Sequence, residues 1–140
     1  MPEIVDGAEE LSTFARFRRQ VHWETLHVRP EIFTPRRKNG RLENSVYRTT
    51  ELPAAEVWNI CAAHFDPNQQ APAIGRGRGT AAVVLAQGLQ LIIDGIPHAR
   101  HTNVVGWFDD PAAPEEELKH HWKLTAQKIA AHFPYLPRPD

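Results

Sequence analysis

The sequence predicts an α+β fold, with a small, mainly antiparallel sheet of three to five strands packed with three to four helices. Segments with helical periodicity lie near both ends and in the middle of the chain, and short apolar or alternating runs of strand length lie between them. The regular strand–helix alternation of a parallel α/β fold is not seen. Two predicted helices separate the strands near Ser45 and Leu89, so a mixed sheet is the alternative.

Length and composition favour one globular domain over residues 1–140. Apolar residues make up 41% and charged residues 24%, an ordinary globular composition that argues against a disordered chain. The longest strictly apolar run, residues 81–86, is far shorter than the roughly 20 residues of a membrane-spanning helix. The N-terminal sequence does not resemble a signal peptide, and the single Cys61 excludes an internal disulfide. We therefore expect a soluble, cytoplasmic protein without a membrane partner.

The N-terminal segment is predicted to be a helix followed by a strand. Asp6 and Glu9 have the spacing of a capping box, which predicts a helix from there to about Gln20. Such a helix would place Leu11, Phe14, Phe17 and Val21 on its apolar side. A strand is expected over residues 22–28, because a proline follows at position 30.

The next segment is predicted to contain a turn, a strand and a helix. Asn39 and Gly40 both tolerate positive φ, so they mark the turn of a long hairpin or an exposed loop over residues 34–44. Residues 45–49 resume as a short strand. Pro53 suits the first position of a helix. The apolar side of that helix comprises Val57, Trp58, Ile60 and Cys61.

Residues 66–79 contain several breakers and show no periodicity, so a loop is expected there. A short buried helix over residues 80–87 follows, ended by Gly88. The apolar run at residues 89–93 suits a central strand covered on both faces. After a turn, residues 100–107 are predicted to return as a neighbouring strand.

The last helix has the strongest sequence signal. Pro114 suits its start, and three consecutive glutamates fill the first turn, where the helix dipole favours negative charge. One apolar stripe comprises Leu118, Trp122, Ala126, Ile129 and Phe133. Prolines then end the helix and leave a short Pro-rich C-terminal tail over residues 134–140.

Histidine, arginine and asparagine are concentrated just before and within the predicted strand at residues 100–107. His101 and Asn103 share one face of that strand. Facing a cleft, they could act as an acid/base and an orienting amide, because histidine titrates nearest neutrality. The candidate catalytic set of a small hydrolase or transferase comprises His98, Arg100, His101, Asn103 and Arg48. The alternative is a polar face that meets solvent or caps backbone groups.

A metal site is not predicted. Asp94, His98 and His101 are suitable ligand types, but Pro97 disfavours the helix that would align the two histidines. Zinc needs three or four convergent ligands, and the sequence offers no second cluster. We therefore predict neither a metal nor a cofactor.

A glycine–arginine run precedes the helix predicted at residues 80–87, and it comprises Gly75, Arg76, Gly77, Arg78, Gly79 and Thr80. Glycines allow close approach of a ligand, a helix N-terminus offers N–H groups, and two arginines add charged forks. The run therefore predicts an oxyanion or phosphate site. It matches neither a dinucleotide fingerprint nor a Walker sequence. The alternative is a flexible loop whose arginines face water.

The segment from Arg16 to Arg48 is strongly basic, with nine basic residues and three acids in a chain of net charge −1. Its interleaved aromatic residues are Phe17, Trp23, Phe33 and Tyr47. Arginines with aromatic platforms suit a nucleic acid, and an acidic protein partner would suit the same arginines. The leading interpretation is therefore a small cytoplasmic binding or accessory module that recognises an anionic group. The alternative is the small enzyme outlined above.

Overall fold

The computed structural model describes residues 4–68 and 71–139. Its fold is built on an antiparallel sheet of seven strands. The strands are β1 (Glu10–Ala15), β2 (Val21–His22), β3 (His27–Val28), β4 (Arg36–Lys38), β5 (Arg41–Arg48), β6 (Gly75–Thr80), β7 (Gln90–Ile93), β8 (His101–Val105) and β9 (Tyr135–Pro137). The α-helices of the described residues are α1 (Ala54–Ile60), α2 (Ala81–Leu85) and α3 (Glu115–Ala130). The α+β class and the helix number are as predicted, whereas the sheet exceeds the predicted three to five strands.

The strand order is β7-β8-β5-β1-β6-β9, with β4 paired to β5 outside this path and β2-β3 forming a separate ribbon. The turn between β4 and β5 is Asn39-Gly40, and both residues have positive φ. This confirms the predicted hairpin. The strand predicted over residues 22–28 is instead two short strands, because the backbone turns at Leu26, where φ is 56°.

The helix predicted from Asp6 to Gln20 is wrong, because this segment contains β1. The Asp6 carboxylate accepts a hydrogen bond from the Ala8 N–H at 2.7 Å and so caps a turn. All residues from Leu11 to Ala15 are buried, which a central strand allows and an amphipathic surface helix does not. Burial between β5 and β6 outweighs the local capping pattern.

The loop predicted over residues 66–79 is wrong for β6, which lies in the sheet between β1 and β9. Side chains packed on one face explain the alternating glycines of this strand. A Cβ at Gly77 would lie 2.7 Å from Val28, a Cβ at Gly79 would lie 2.7 Å from Phe133, and Gly75 has no room for one beside the Tyr135 ring. Gln69 and Gln70 of the predicted loop lie outside the described residues.

The strand predicted at residues 89–93 exists as β7, but it lies at an edge of the sheet and is partly exposed. Its predicted central position is wrong, because β5 and β1 occupy the middle of the sheet. β8 does pair with β7, as predicted. The predicted C-terminal tail contributes β9, which pairs with β6, and Asp140 lies outside the described residues.

Apolar side chains pack on both faces of the sheet. The larger cluster joins the sheet to α2 and α3 and includes the predicted stripe of Leu118, Trp122, Ala126, Ile129 and Phe133. The smaller cluster joins the opposite face to α1 and comprises Phe14, Tyr47, Val57, Ile60, Cys61 and Ala73. None of the helices within residues 4–68 and 71–139 is long and apolar enough to cross a membrane.

Candidate functional site

A cavity of about 660 Å³ opens where β1 and β5 diverge. These two strands pair only through Leu11 with Arg48 and Ser12 with Tyr47. Beyond those pairs, β1 continues along β6 while β5 pairs with β8 and β4. The walls of this cavity, called here the splay cleft, include Thr13, Phe14 and Arg16 on the β1 side and Glu43, Asn44 and Ser45 on the β5 side.

The splay cleft is lined by three cations, Arg16, Arg36 and Lys38, and by two carboxylates, Glu31 and Glu43. Arg41 donates two hydrogen bonds to the Glu43 carboxylate, at 2.8 and 3.2 Å, and so neutralises it. Within the described part of the chain, no ion pair joins the three cations to a carboxylate. The cleft therefore has an excess of positive charge.

The hairpin register explains why two of these cations point the same way. Arg36 and Lys38 are two residues apart on β4, so their side chains share a face, whereas Arg37 between them points to the other face. There Arg37 forms a bidentate ion pair with Asp109, with N–O distances of 2.9 and 3.0 Å. This pairing raises the pKa of Arg37 and lowers the pKa of Asp109, chiefly through the hydrogen bond between them.

Side-chain amides fix the two walls of the splay cleft. The Gln20 Oε1 atom accepts the backbone N–H groups of Arg16 at 2.6 Å and Phe17 at 3.1 Å. The Asn44 amide donates to the Ile32 carbonyl at 3.1 Å, and its Oδ1 atom is buried with no hydrogen-bond partner among the described residues. This hydrogen bond ties β5 to the segment around Ile32 at the wall of the cleft.

The structure joins His101 and Asn103 through Asp94, which directly follows β7. The His101 Nδ1 atom lies 2.6 Å from one Asp94 oxygen, and the Asn103 amide donates to the other at 3.0 Å. Burial opposes ionisation of Asp94, but the hydrogen bonds from His101, Ile96 and Asn103 outweigh it and lower the pKa of Asp94. His101 is 8% exposed and Asn103 5% exposed. This network holds the β7–β8 connection against β8.

The other candidate catalytic residues lie apart from this network. His98 and Arg100 line a separate cavity of about 370 Å³ with His64, whose ring centroid is 5.2 Å from that of His98. Burial, followed by the nearby His64 and Arg100, lowers the pKa of His98. Arg48 donates to Thr102 Oγ1 at 3.1 Å and to the Ala99 carbonyl at 2.6 Å. The predicted set is therefore divided among three environments.

The arginines of the predicted oxyanion site, Arg76 and Arg78, project from β6 toward Glu10. Arg76 is 6% exposed, donates to Ser12 Oγ at 2.8 Å and lies 3.9 Å from the Glu10 carboxylate. Arg78 lies 3.5 Å from the same carboxylate. Burial lowers the pKa of Arg76. Binding of an external oxyanion at Gly75–Thr80 stays a prediction. Such a ligand would compete with the Glu10 carboxylate for Arg76 and Arg78.

The four aromatic residues noted within the basic segment, residues 16–48, differ in how far they are buried. Phe33 and Tyr47 are buried, whereas Phe17 is half-buried and Trp23 is exposed. Arginine side chains stack on both of these outer rings. Of the aromatic residues noted in the sequence, only Phe17 and Trp23 are therefore available to a partner.

Among the described residues, no group of three or more His, Cys, Asp or Glu side chains is placed to hold a metal ion. Comparisons with protein-family models, curated proteins and solved structures find no match to this chain. The interpretation of the site therefore depends on its own geometry. No sequence pattern marks the walls contributed by Thr13, Asn44 and Ser45, because these residues meet only through the pairing of β1 with β5.

Proposed function

We propose that the chain is a cytoplasmic binding module whose splay cleft takes an anionic group of the phosphate or carboxylate class. One observation carries this proposal: Arg16, Arg36 and Lys38 line one cavity, and the Glu43 carboxylate beside them is bound by Arg41 instead. Guanidinium groups suit planar oxyanions, and hydrogen bonds to charged groups contribute about 1.5–3 kcal/mol each.

The cations of the splay cleft differ from the other basic side chains near it. Arg37 and Arg41 are each paired with a carboxylate, Asp109 and Glu43 respectively. An incoming anion would have to displace those partners, whereas Arg36 and Lys38 require no such exchange. The attraction acts near solvent, where it is screened over about 10 Å at 0.1 M ionic strength, so binding should weaken with added salt.

The decisive experiment is titration of pyrophosphate into the ¹⁵N-labelled protein, followed by NMR shifts. We expect the largest shifts at residues lining the splay cleft, and a loss of affinity of about tenfold or more in the double variant Arg36→Gln with Lys38→Gln. Glu31→Gln removes a negative charge from the same cavity and should tighten binding. Arg37→Gln is the control, because it removes one positive charge from the opposite face of β4, and the single variants Arg36→Gln and Lys38→Gln are its charge-matched counterparts in the cleft.

Two outcomes would reject this function. Equal affinity of the wild type and the double variant would mean that the cleft is not the site. A loss of affinity in Arg76→Gln with Arg78→Gln, without a loss in the cleft variant, would instead support the oxyanion site predicted at Gly75–Thr80. Thermal unfolding of each variant separates loss of binding from loss of the fold.

A second candidate function is acid–base catalysis at His101, favoured by its 2.6 Å contact with Asp94. Because Nδ1 faces the carboxylate, Nε2 is the nitrogen left to exchange a proton with a substrate. This function predicts hydrolysis of p-nitrophenyl esters or phosphates that is lost in His101→Gln. Absence of turnover by the wild type, or turnover that survives His101→Gln, would contradict it.

A further inference from the structure

Three arginine–aromatic contacts lie beside the splay cleft within eight residues of the chain. The Arg18 guanidinium carbon is 4.4 Å from the centroid of the Trp23 ring. The guanidinium carbons of Arg19 and Arg16 are 4.5 and 5.2 Å from the Phe17 centroid. Together these five side chains form a surface that we call the Arg–aromatic strip.

The Arg–aromatic strip is continuous with the splay cleft. Arg16 belongs to both, since it lines the cavity and also stacks on Phe17. Gln20 fixes this junction by accepting the backbone N–H groups of Arg16 and Phe17. A ligand that extends from the cleft past Arg16 would therefore meet the Phe17 end of the strip.

The Trp23 ring of the strip is held in place although it is exposed. Trp23 is 41% exposed, its indole N–H donates to the Arg18 carbonyl at 2.9 Å, and its ring forms a T-shaped contact with Tyr135, with centroids 5.5 Å apart. An exposed tryptophan whose ring is already oriented loses little conformational entropy when a flat partner stacks on it.

We propose that the ligand of the splay cleft is a single-stranded nucleic acid, with a phosphate at Arg16, Arg36 and Lys38 and adjacent bases stacked on the Arg–aromatic strip. This inference rests on the proposed anion-binding function. Bases stack on aromatic rings and on guanidinium planes, and phosphates bind the cations between them. An acidic peptide would use the cations but not the stacking surfaces, and a duplex would keep its bases inside.

Fluorescence anisotropy with labelled 12-nucleotide oligo(dT) and oligo(rU) tests the inference on the full chain. Trp23→Ala should weaken binding by about tenfold, the loss of one base stack. Arg36→Gln with Lys38→Gln should lower the slope of log affinity against log salt by up to about 0.7, because both side chains contact the same phosphate and each phosphate neutralised on a single strand contributes roughly 0.7. Arg37→Gln should leave both quantities unchanged. Trp23→Leu keeps apolar bulk, and it replaces Trp23→Ala if the alanine variant does not fold.

The outcomes separate this inference from the proposed function. If pyrophosphate binds the cleft but the oligonucleotides bind no more tightly, or if the Trp23 variants bind them normally, the nucleic acid is wrong and the anion site stands. If poly-glutamate of equal charge binds more tightly than either oligonucleotide, the partner is an acidic protein and the inference is overturned. If neither pyrophosphate nor the oligonucleotides bind the wild type, both proposals fail.

Discussion

Replacement of Gly77 by alanine probes the packing of β3 against β6. Gly77 is buried on β6, and an added Cβ would lie 2.7 Å from Val28 Cγ1, 3.1 Å from Val28 Cγ2 and 3.2 Å from Thr13 Cγ2. Carbon atoms pack at about 3.5–4.0 Å, so close to 1 Å of extra space must be found. Val28 and Thr13 are buried and β-branched, so neither can rotate away cheaply.

We therefore expect Gly77→Ala to reduce the free energy of unfolding by about 1–3 kcal/mol, the usual cost of overpacking. Urea and thermal unfolding measure this loss, and each kcal/mol should lower the midpoint temperature by about 4 °C. Gly7→Ala is the control, because its Cβ would meet Ala82 at an ordinary 3.5 Å, and a change within about 0.5 kcal/mol is expected. If Gly77→Ala is as stable as the wild type, the ribbon β2-β3 does not pack on β6 as described.

Three further predictions concern stability and reactivity. Trp122→Ala should lower the free energy of unfolding in urea by about 3–5 kcal/mol, because the indole is buried and donates to the Phe108 carbonyl at 2.7 Å. A loss below about 1 kcal/mol would contradict the packing of α3. The lowered pKa of Asp94 means that its ionised form stabilises the fold fully above the ordinary carboxyl pKa of about 3.9, and that this stabilisation is lost as pH falls through the lowered pKa. Asp94→Asn should therefore make the free energy of unfolding less dependent on pH in this acidic range. An unchanged pH dependence would refute this prediction. Burial and, to a lesser extent, the Asp66 carboxylate raise the pKa of Cys61 to about 12. Iodoacetamide should therefore modify this thiol at neutral pH only after urea unfolding. Rapid labelling of the native protein would contradict this prediction.

Local signals in the sequence predict the elements whose structure depends on neighbours in the chain. The proline and glutamates before α3 mark its start, and its apolar stripe marks the buried side. Asn39-Gly40 marks the β4–β5 turn, because a two-residue hairpin needs positive φ at both positions. The same hairpin sets Arg36 and Lys38 on one face, so part of the proposed site follows from alternation along β4.

Elements that depend on distant partners could not be predicted in this way. The Asp6–Glu9 spacing fits a helix cap, but β1 gains more by burial between β5 and β6. The alternating glycines of β6 resemble a flexible loop until Val28, Phe133 and Tyr135 are known to pack on them. The splay cleft exists because β1 and β5 pair over two residue pairs and then separate, and no local pattern encodes that divergence.

The most direct measurement of the central claim is the NMR titration of pyrophosphate, carried out in parallel on the wild type, Arg36→Gln with Lys38→Gln, and Arg37→Gln. The account predicts shifts centred on Thr13, Asn44 and Ser45 in the wild type and in Arg37→Gln, and shifts that are largely lost in the double variant. Shifts centred elsewhere, or shifts of equal size in all three proteins, would contradict anion binding in the splay cleft.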